Sequence, residues 1–457
     1  MSQSPRRAGL AVAGLILSLG ALSAAAAGAD QPFSAYEGTY RLPGGRTLVV
    51  TRMGVIEELA RPCFLDWETG RFGYLTAAGT DRFTAAASPA AKPEAPPQTE
   101  IAFRRDASGG VAGLVIREAG FPERDASRAI LYDDLAVSFA SGEIRLAATL
   151  RRPKGSGPFP AVVLVHGSGP GERTQLSVMN AFFAGLGLAV LTYDKRGCGG
   201  SSGNWKEVDL DVLAGDALAG LRWLQAQPGI DGRRVGLWGI SQGGWITPLA
   251  ASLDASPAFV INTSGPATSL RRQDSYNMDN TLKLAGFSAD ERALVVRGLN
   301  VLYDYGRGKA SAAELDAIMA QARSHPRLKD LALPPAREIS KEALYAGQKI
   351  GDPAWFFHLD PDNDALAPYR ALRCPILVTY GRLDYTVPVE ESASLLAELA
   401  AKAAKSNIRV EVVPDSGHGY WRMQEADPRL PIAPQTISRA FFAAIEGWLK
   451  AKGIIGG

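Results

Sequence analysis

From about Ile130 onward, short runs of consecutive apolar residues alternate with longer stretches whose apolar positions recur every three or four residues. Uninterrupted apolar runs suit strands buried on both faces. Their alternation with helical stretches predicts a mostly parallel sheet covered by helices on both sides. The predicted strands are 161–165, 189–193, 235–238, 259–262, 376–380 and 408–413, with helices between or after them at 210–225, 392–405 and 435–452.

Residues 30–127 follow a different rhythm. Short alternating runs at 47–51, 71–75, 100–103 and 114–116 are separated by turns such as Pro43-Gly44-Gly45 and Ser108-Gly109-Gly110, which is the pattern of a small antiparallel β domain. The Ala- and Pro-rich stretch 85–98 can continue neither helix nor sheet and reads as a loop. Further on, about a hundred residues separate the strand at Phe259 from the one at Ile376, yet 290–305 and 311–323 carry helical periodicity. Residues 266–370 therefore read as a helical insertion above the sheet, placed to act as a cap.

The extreme N-terminus belongs to neither unit. MSQSPRR is polar and basic, and the uncharged stretch Ala8 to Ala29 ends in small residues. That shape predicts a signal peptide over residues 1–29, with Ala27-Gly28-Ala29 as cleavage site and Ala24-Ala25-Ala26 as a second choice. The alternative is an uncleaved anchor, since the stretch nearly spans a bilayer; Arg6-Arg7 hints at twin-arginine export. The expected location is periplasmic or secreted, without stable membrane insertion after cleavage.

Composition narrows the function. The 457 residues are 46% hydrophobic and 21% charged, within the range of ordinary globular proteins. The net charge of +2 implies no field that would collect nucleic acid or anionic lipid. Cys63, Cys198 and Cys374 show neither a disulfide framework nor zinc spacing, although one Cys63 to Cys198 bridge stays open in an oxidising compartment. The four histidines are scattered and H-E-x-x-H does not occur, so no metal site and no cofactor is expected.

Gly239-Ile240-Ser241-Gln242-Gly243 is a G-x-S-x-G pentapeptide lying directly after an apolar strand and directly before a helical stretch. Such a turn strains the serine and tolerates only small residues two places either side. The helix N-terminus also favours negative charge developing beside the hydroxyl. A serine needs a base, and of the four histidines His418, in Pro414-Asp415-Ser416-Gly417-His418-Gly419, follows the last strand at the carboxyl edge. His166 reads as structural, and His325 and His358 lie in the insertion. The imidazole needs a carboxylate to hold its tautomer; Asp384 follows the strand 376–380, whereas Asp415 is too close in sequence to His418. The oxyanion needs preorganised donors, for which the backbone N–H of Gln242 and that of Ser168 or Gly169, in His166-Gly167-Ser168-Gly169-Pro170-Gly171, are candidates. No Gly-Lys-Ser/Thr follows that loop, so it does not fit a P-loop.

With HGSGP at 166–170, DKRGCGGSSG at 194–203, GISQGGW at 239–245, LDP at 359–361, CPILVTYGRLDYTVP at 374–388 and SGH at 416–418, the chain from Ile130 onward resembles the α/β-hydrolase superfamily. More narrowly it is similar to bacterial EstD-type esterases that carry an extra N-terminal domain. The resemblance implies an α/β-hydrolase fold over 128–457, a Ser241, Asp384 and His418 triad, and oxyanion donors at Ser168 and Gln242. It also implies a structural turn at Asp194 and Arg196. Pro248 predicts a kink in the helix after the nucleophile.

The expected activity is hydrolysis of a small-molecule carboxylic ester through an acyl-serine, with Trp355-Phe356-Phe357 as a candidate wall of an acyl pocket. Two other readings stay open: a serine peptidase of the prolyl-oligopeptidase or aminopeptidase kind, and a non-catalytic binding module on a hydrolase fold.

Overall fold

The apolar runs assemble into an eight-stranded sheet in the computed structural model, which describes residues 33–87, 97–329, 360–402 and 407–456. Its spatial order is Tyr132–Ser141, Ile144–Pro153, Ala189–Tyr193, Phe159–Val165, Ile230–Ile240, Val260–Thr263, Ile376–Gly381, Ile408–Val413. The first three pair antiparallel, and every later pair is parallel.

Period-two alternation divides each central strand between two cores. Val162 and Leu164 face one cluster, with Trp238, Phe183 and the C-terminal helix residues Phe441, Ile445 and Leu449. Ala161, Val163 and Val165 face the other, with Leu237 and with Leu213, Ala214, Ala217 and Leu221 of the helix Leu210–Gln225. Burial on alternating sides explains why these strands read as continuously apolar.

The observed strands match five of the six predicted ones within a residue or two, the sixth, 235–238, being extended to Ile230–Ile240, and the helix Leu210–Gln225 has the predicted limits. In the insertion, Ala289–Gly306 and Ala312–Ser324 are helices as predicted, each opened by a reciprocal cap in which Ser288 pairs with Glu291 and Ser311 with Glu314. A further helix, Leu270–Leu284, precedes them. The helix Gln242–Leu253 continues past Pro248 as one element. All three cysteines are free thiols, so the Cys63 to Cys198 bridge is not formed.

Ahead of this sheet, nine strands between Gly38 and Ala129 form a second, wholly antiparallel sheet. One of its faces packs on itself around Tyr36, Tyr40, Phe83 and Phe103. The other joins the main core: Met53, Cys63, Leu65 and Phe72 share a cluster with Phe182, Tyr420, Ile437 and Phe442. Backbone bonds cross the same seam, from Phe72 N to Gln435 O at 3.1 Å and from Ile437 N to Gly70 O at 2.8 Å.

Several expectations fall outside the described residues. They are the signal peptide at 1–29, most of the 85–98 loop, Trp355-Phe356-Phe357, His358, and the part of the insertion between 330 and 359. Among the described residues, no helix is long and apolar enough to cross a membrane.

The shared core makes the two sheets one unfolding unit. Phe72 is buried between the rings of Tyr74 and Trp421, at centroid distances of 5.1 and 4.7 Å. Phe72→Ala should cost about 3–5 kcal/mol and move a single urea transition seen identically by tryptophan fluorescence and circular dichroism. An early transition of the N-terminal sheet alone, with the rest unmoved, would contradict this.

Candidate active site

The strand Ile230–Ile240 ends against the helix Gln242–Leu253 with one residue between them, Ser241, at φ 57° and ψ −119°. An L-residue there is strained, by about 1–3 kcal/mol. The surrounding glycines show what imposes it. A Cβ on Gly239 would lie 2.2 Å from the Gly243 carbonyl oxygen, and one on Gly243 would lie 2.6 Å from that of Val165. One on Gly244 would lie 2.2 Å from Asn262 Oδ1. Backbone therefore packs on backbone throughout the turn, and Ser241 N donates to Thr263 O at 2.9 Å. The serine is left partly exposed at the start of a helix.

The loop after Phe159–Val165 lies beside it. A Cβ on Gly167 would sit 3.4 Å from Ser241 Cβ, so the Gly167-Ser168 segment adjoins the serine directly. The backbone N–H groups of Ser168 and Gln242 donate no hydrogen bond among the described residues. Here the sheet order reverses, because the chain runs from Phe159–Val165 outward to Ala189–Tyr193 and then back to Ile230–Ile240. Crevices at such reversals are where open α/β sheets bind ligands.

His418 and Asp384 meet at the same edge, Nδ1 to Oδ2 at 2.8 Å. The other oxygen of Asp384, Oδ1, accepts from the Thr386 and Val387 N–H groups at 2.9 and 3.1 Å, which fixes the carboxylate. The two loops approach closely because residue 381 is glycine: a Cβ there would lie 2.1 Å from Gly417 O. Asp384 is buried, while His418 keeps 28% of its side chain exposed. Burial pushes the imidazole pKa down, but the charge and hydrogen bond of Asp384 outweigh it, and the ring ends above its ordinary 6.5.

Beyond His418 the loop docks on the elbow. Gly419 N donates to Ser264 Oγ at 3.0 Å, and a Cβ on Gly419 would touch Ile240 Cδ1 at 3.2 Å. Ser264 is thus a supporting residue that sequence reasoning missed. It is fully buried, has a positive φ of 52°, and follows Val260–Thr263 just as Ser241 follows its own strand. Asn262 was missed as well; its carboxamide bonds Gly265 N at 2.8 Å and Tyr369 OH at 2.6 Å. Three polar residues, Asn262-Thr263-Ser264, ending an apolar strand were the available signal.

The remaining candidates separate cleanly. His166 is buried, meets the Glu172 carbonyl oxygen at 3.2 Å, and burial pushes its pKa down to about 3, so it stays neutral. Asp415 is held by Ser438 Oγ at 2.5 Å and by Arg422 at 2.8 Å rather than by His418. Asp194 accepts from Arg173, and Arg196 pairs with buried Asp216 at 2.6 Å. A cavity of about 440 Å³ lies beside Trp245, with Asp209, Asp211 and Asp364 in its wall, but neither Ser241, Asp384 nor His418 lines it.

The sequence profile of the alpha/beta hydrolase family matches residues 162–433. Esterase EstD of Thermotoga maritima is 27% identical over 68% of this chain and 67% of its own length. The quorum-quenching protein AidA of Acinetobacter baumannii is 30% identical over 35% of this chain and 52% of its own. Among solved structures, a Pyrococcus furiosus esterase is 17% identical, covering 70% of this chain and 90% of that one at a TM-score of 0.42.

The His418 shift is directly measurable. In an NMR titration of the ring protons, His418 should titrate above its ordinary 6.5, and Asp384→Asn, which removes the charge and keeps the burial, should bring it below that value. An unchanged value in the variant would show that Asp384 does not set the ring's protonation.

Proposed function

The chain belongs to the alpha/beta hydrolase family, and from that premise we propose that it hydrolyses carboxylic esters through an acyl-serine intermediate. Ser241 is the nucleophile, His418 the general base, and Asp384 the carboxylate that orients it. The Ser168 and Gln242 N–H groups receive the oxyanion. The observation that carries this reading is the His418–Asp384 bond of 2.8 Å on a loop that docks, through Gly419, onto Ile240 and Ser264 beside the strained Ser241.

The chemistry follows from the hydrogen bonds. Asp384 accepts a hydrogen bond from Nδ1–H, holding the tautomer that leaves Nε2 with a lone pair for the Ser241 hydroxyl proton. As the serine oxygen bonds to the acyl carbon, the carbonyl oxygen gains negative charge, for which the N–H groups of Ser168 and Gln242, unpartnered among the described residues, are preorganised donors. Imidazolium then returns the proton to the departing alkoxide. Water repeats the sequence on the acyl-serine and releases the acid. Because His418 must be neutral to act, activity is lost as pH falls through its raised pKa.

Ester rather than peptide substrate is supported by the similarity to a protein named an esterase over two thirds of both chains. The bound substrate is a small molecule, and the reaction of these residues is complete without a cofactor. Ser241→Ala should abolish both turnover of short-chain p-nitrophenyl esters and labelling by a fluorophosphonate, with the thermal transition still cooperative. Faster cleavage of aminoacyl-anilides than of esters would favour a peptidase. A folded wild-type protein left unlabelled would favour a binding module.

A further inference from the structure

One cation is buried behind the oxyanion loop. Lys195 follows the strand Ala189–Tyr193 and is 3% exposed. Its ammonium donates to Gly167 O at 2.7 Å, Gly169 O at 2.9 Å and Gln242 Oε1 at 3.3 Å, and lies 5.4 Å from the centroid of the Trp205 ring. Its backbone N–H adds a bond to Gly171 O at 2.8 Å. Among the described residues no carboxylate forms an ion pair with it. Burial pulls the ammonium down to about 8. A buried charge held only by carbonyl dipoles and an indole ring is costly to keep.

Those dipoles belong to the two elements that flank the site. A trans peptide points its C=O and the following N–H in opposite directions, so drawing Gly167 O toward Lys195 Nζ turns Ser168 N–H away from the lysine. Gly167 is also the residue that abuts Ser241. Gln242, the second partner, opens the helix behind the nucleophile. Resting on the esterase reading above, we propose that Lys195 is a positioning residue of the oxyanion hole: by holding Gly167 and Gly169 on one side and Gln242 on the other, it sets the direction of the Ser168 N–H and its spacing from the Gln242 N–H.

Lys195→Met preserves length and removes every donor of the side chain; Lys195→Gln keeps two N–H donors without the charge. Both are compared with the wild type by p-nitrophenyl ester kinetics, with active sites counted by fluorophosphonate titration. Loss of one oxyanion donor costs about a hundredfold to a thousandfold in kcat, and a misdirected donor should cost about ten- to a hundredfold. Per titrated serine, kcat of Lys195→Met should fall by that factor with KM within about twofold, and Lys195→Gln should recover part of it. A purely structural lysine would instead lower the count of titratable serines and the melting temperature while leaving kcat per serine intact. That result in Lys195→Met, or in Lys195→Gln should the first variant not fold, would overturn the proposal. Wild-type protein that takes no phosphonate would instead overturn the esterase reading, and the Lys195 role with it.

Discussion

Everything at the site depends on backbone packing against backbone at the carboxyl edge of the parallel sheet. Gly239, Gly243 and Gly244 each stand where a single added carbon would come within 2.6 Å of a carbonyl or carboxamide oxygen. That contact forces Ser241 into a conformation foreign to L-residues and brings the Gly167 loop alongside it. Gly381 repeats the device where the Asp384 and His418 loops meet. The Ser241 turn and the loops that carry Asp384 and His418 therefore have little room to relax.

The proton inventory follows from burial. His166 is fully buried and His418 partly exposed; one is driven neutral and the other held toward its charged form. Burial lowers both, but His166 faces the Lys195 ammonium, which lowers it further, whereas His418 faces the carboxylate of Asp384, which raises it. Lys195 extends the same logic: its buried charge is held by the carbonyl oxygens of Gly167 and Gly169 and by Gln242 Oε1.

Much of this was legible in the sequence. Continuous apolar runs located the central strands, and the G-x-S-x-G context located the elbow. What was missed has physical causes. The hairpin Tyr132–Ser141 with Ile144–Pro153 lies at the edge of the sheet, and its outer strand buries only Phe139, so no two-sided apolar run announces it. The helix Ser177–Gly185 buries nearly every side chain, which hides its period. Alternation in the N-terminal strands pointed to an antiparallel β domain, but not to Phe72 and Leu65 sharing a core with Phe442. Lys195 was not singled out, because its partners are backbone carbonyl groups, which carry no sequence signature.

The N-terminal sheet accordingly does more than accompany the main one. Val55 O accepts from Glu172 N at 3.0 Å and Gly54 O from Thr174 Oγ1 at 3.1 Å, bracing the chain just beyond the loop 166–171 that adjoins Ser241. The most direct measurement of the central claim is a crystal structure with a phosphonate bonded to Ser241. The phosphonyl oxygen should lie about 2.7–3.1 Å from both the Ser168 and Gln242 nitrogens, with His418 Nε2 facing the serine oxygen. A phosphonyl oxygen turned to solvent, or an imidazole rotated away from the adduct, would contradict it.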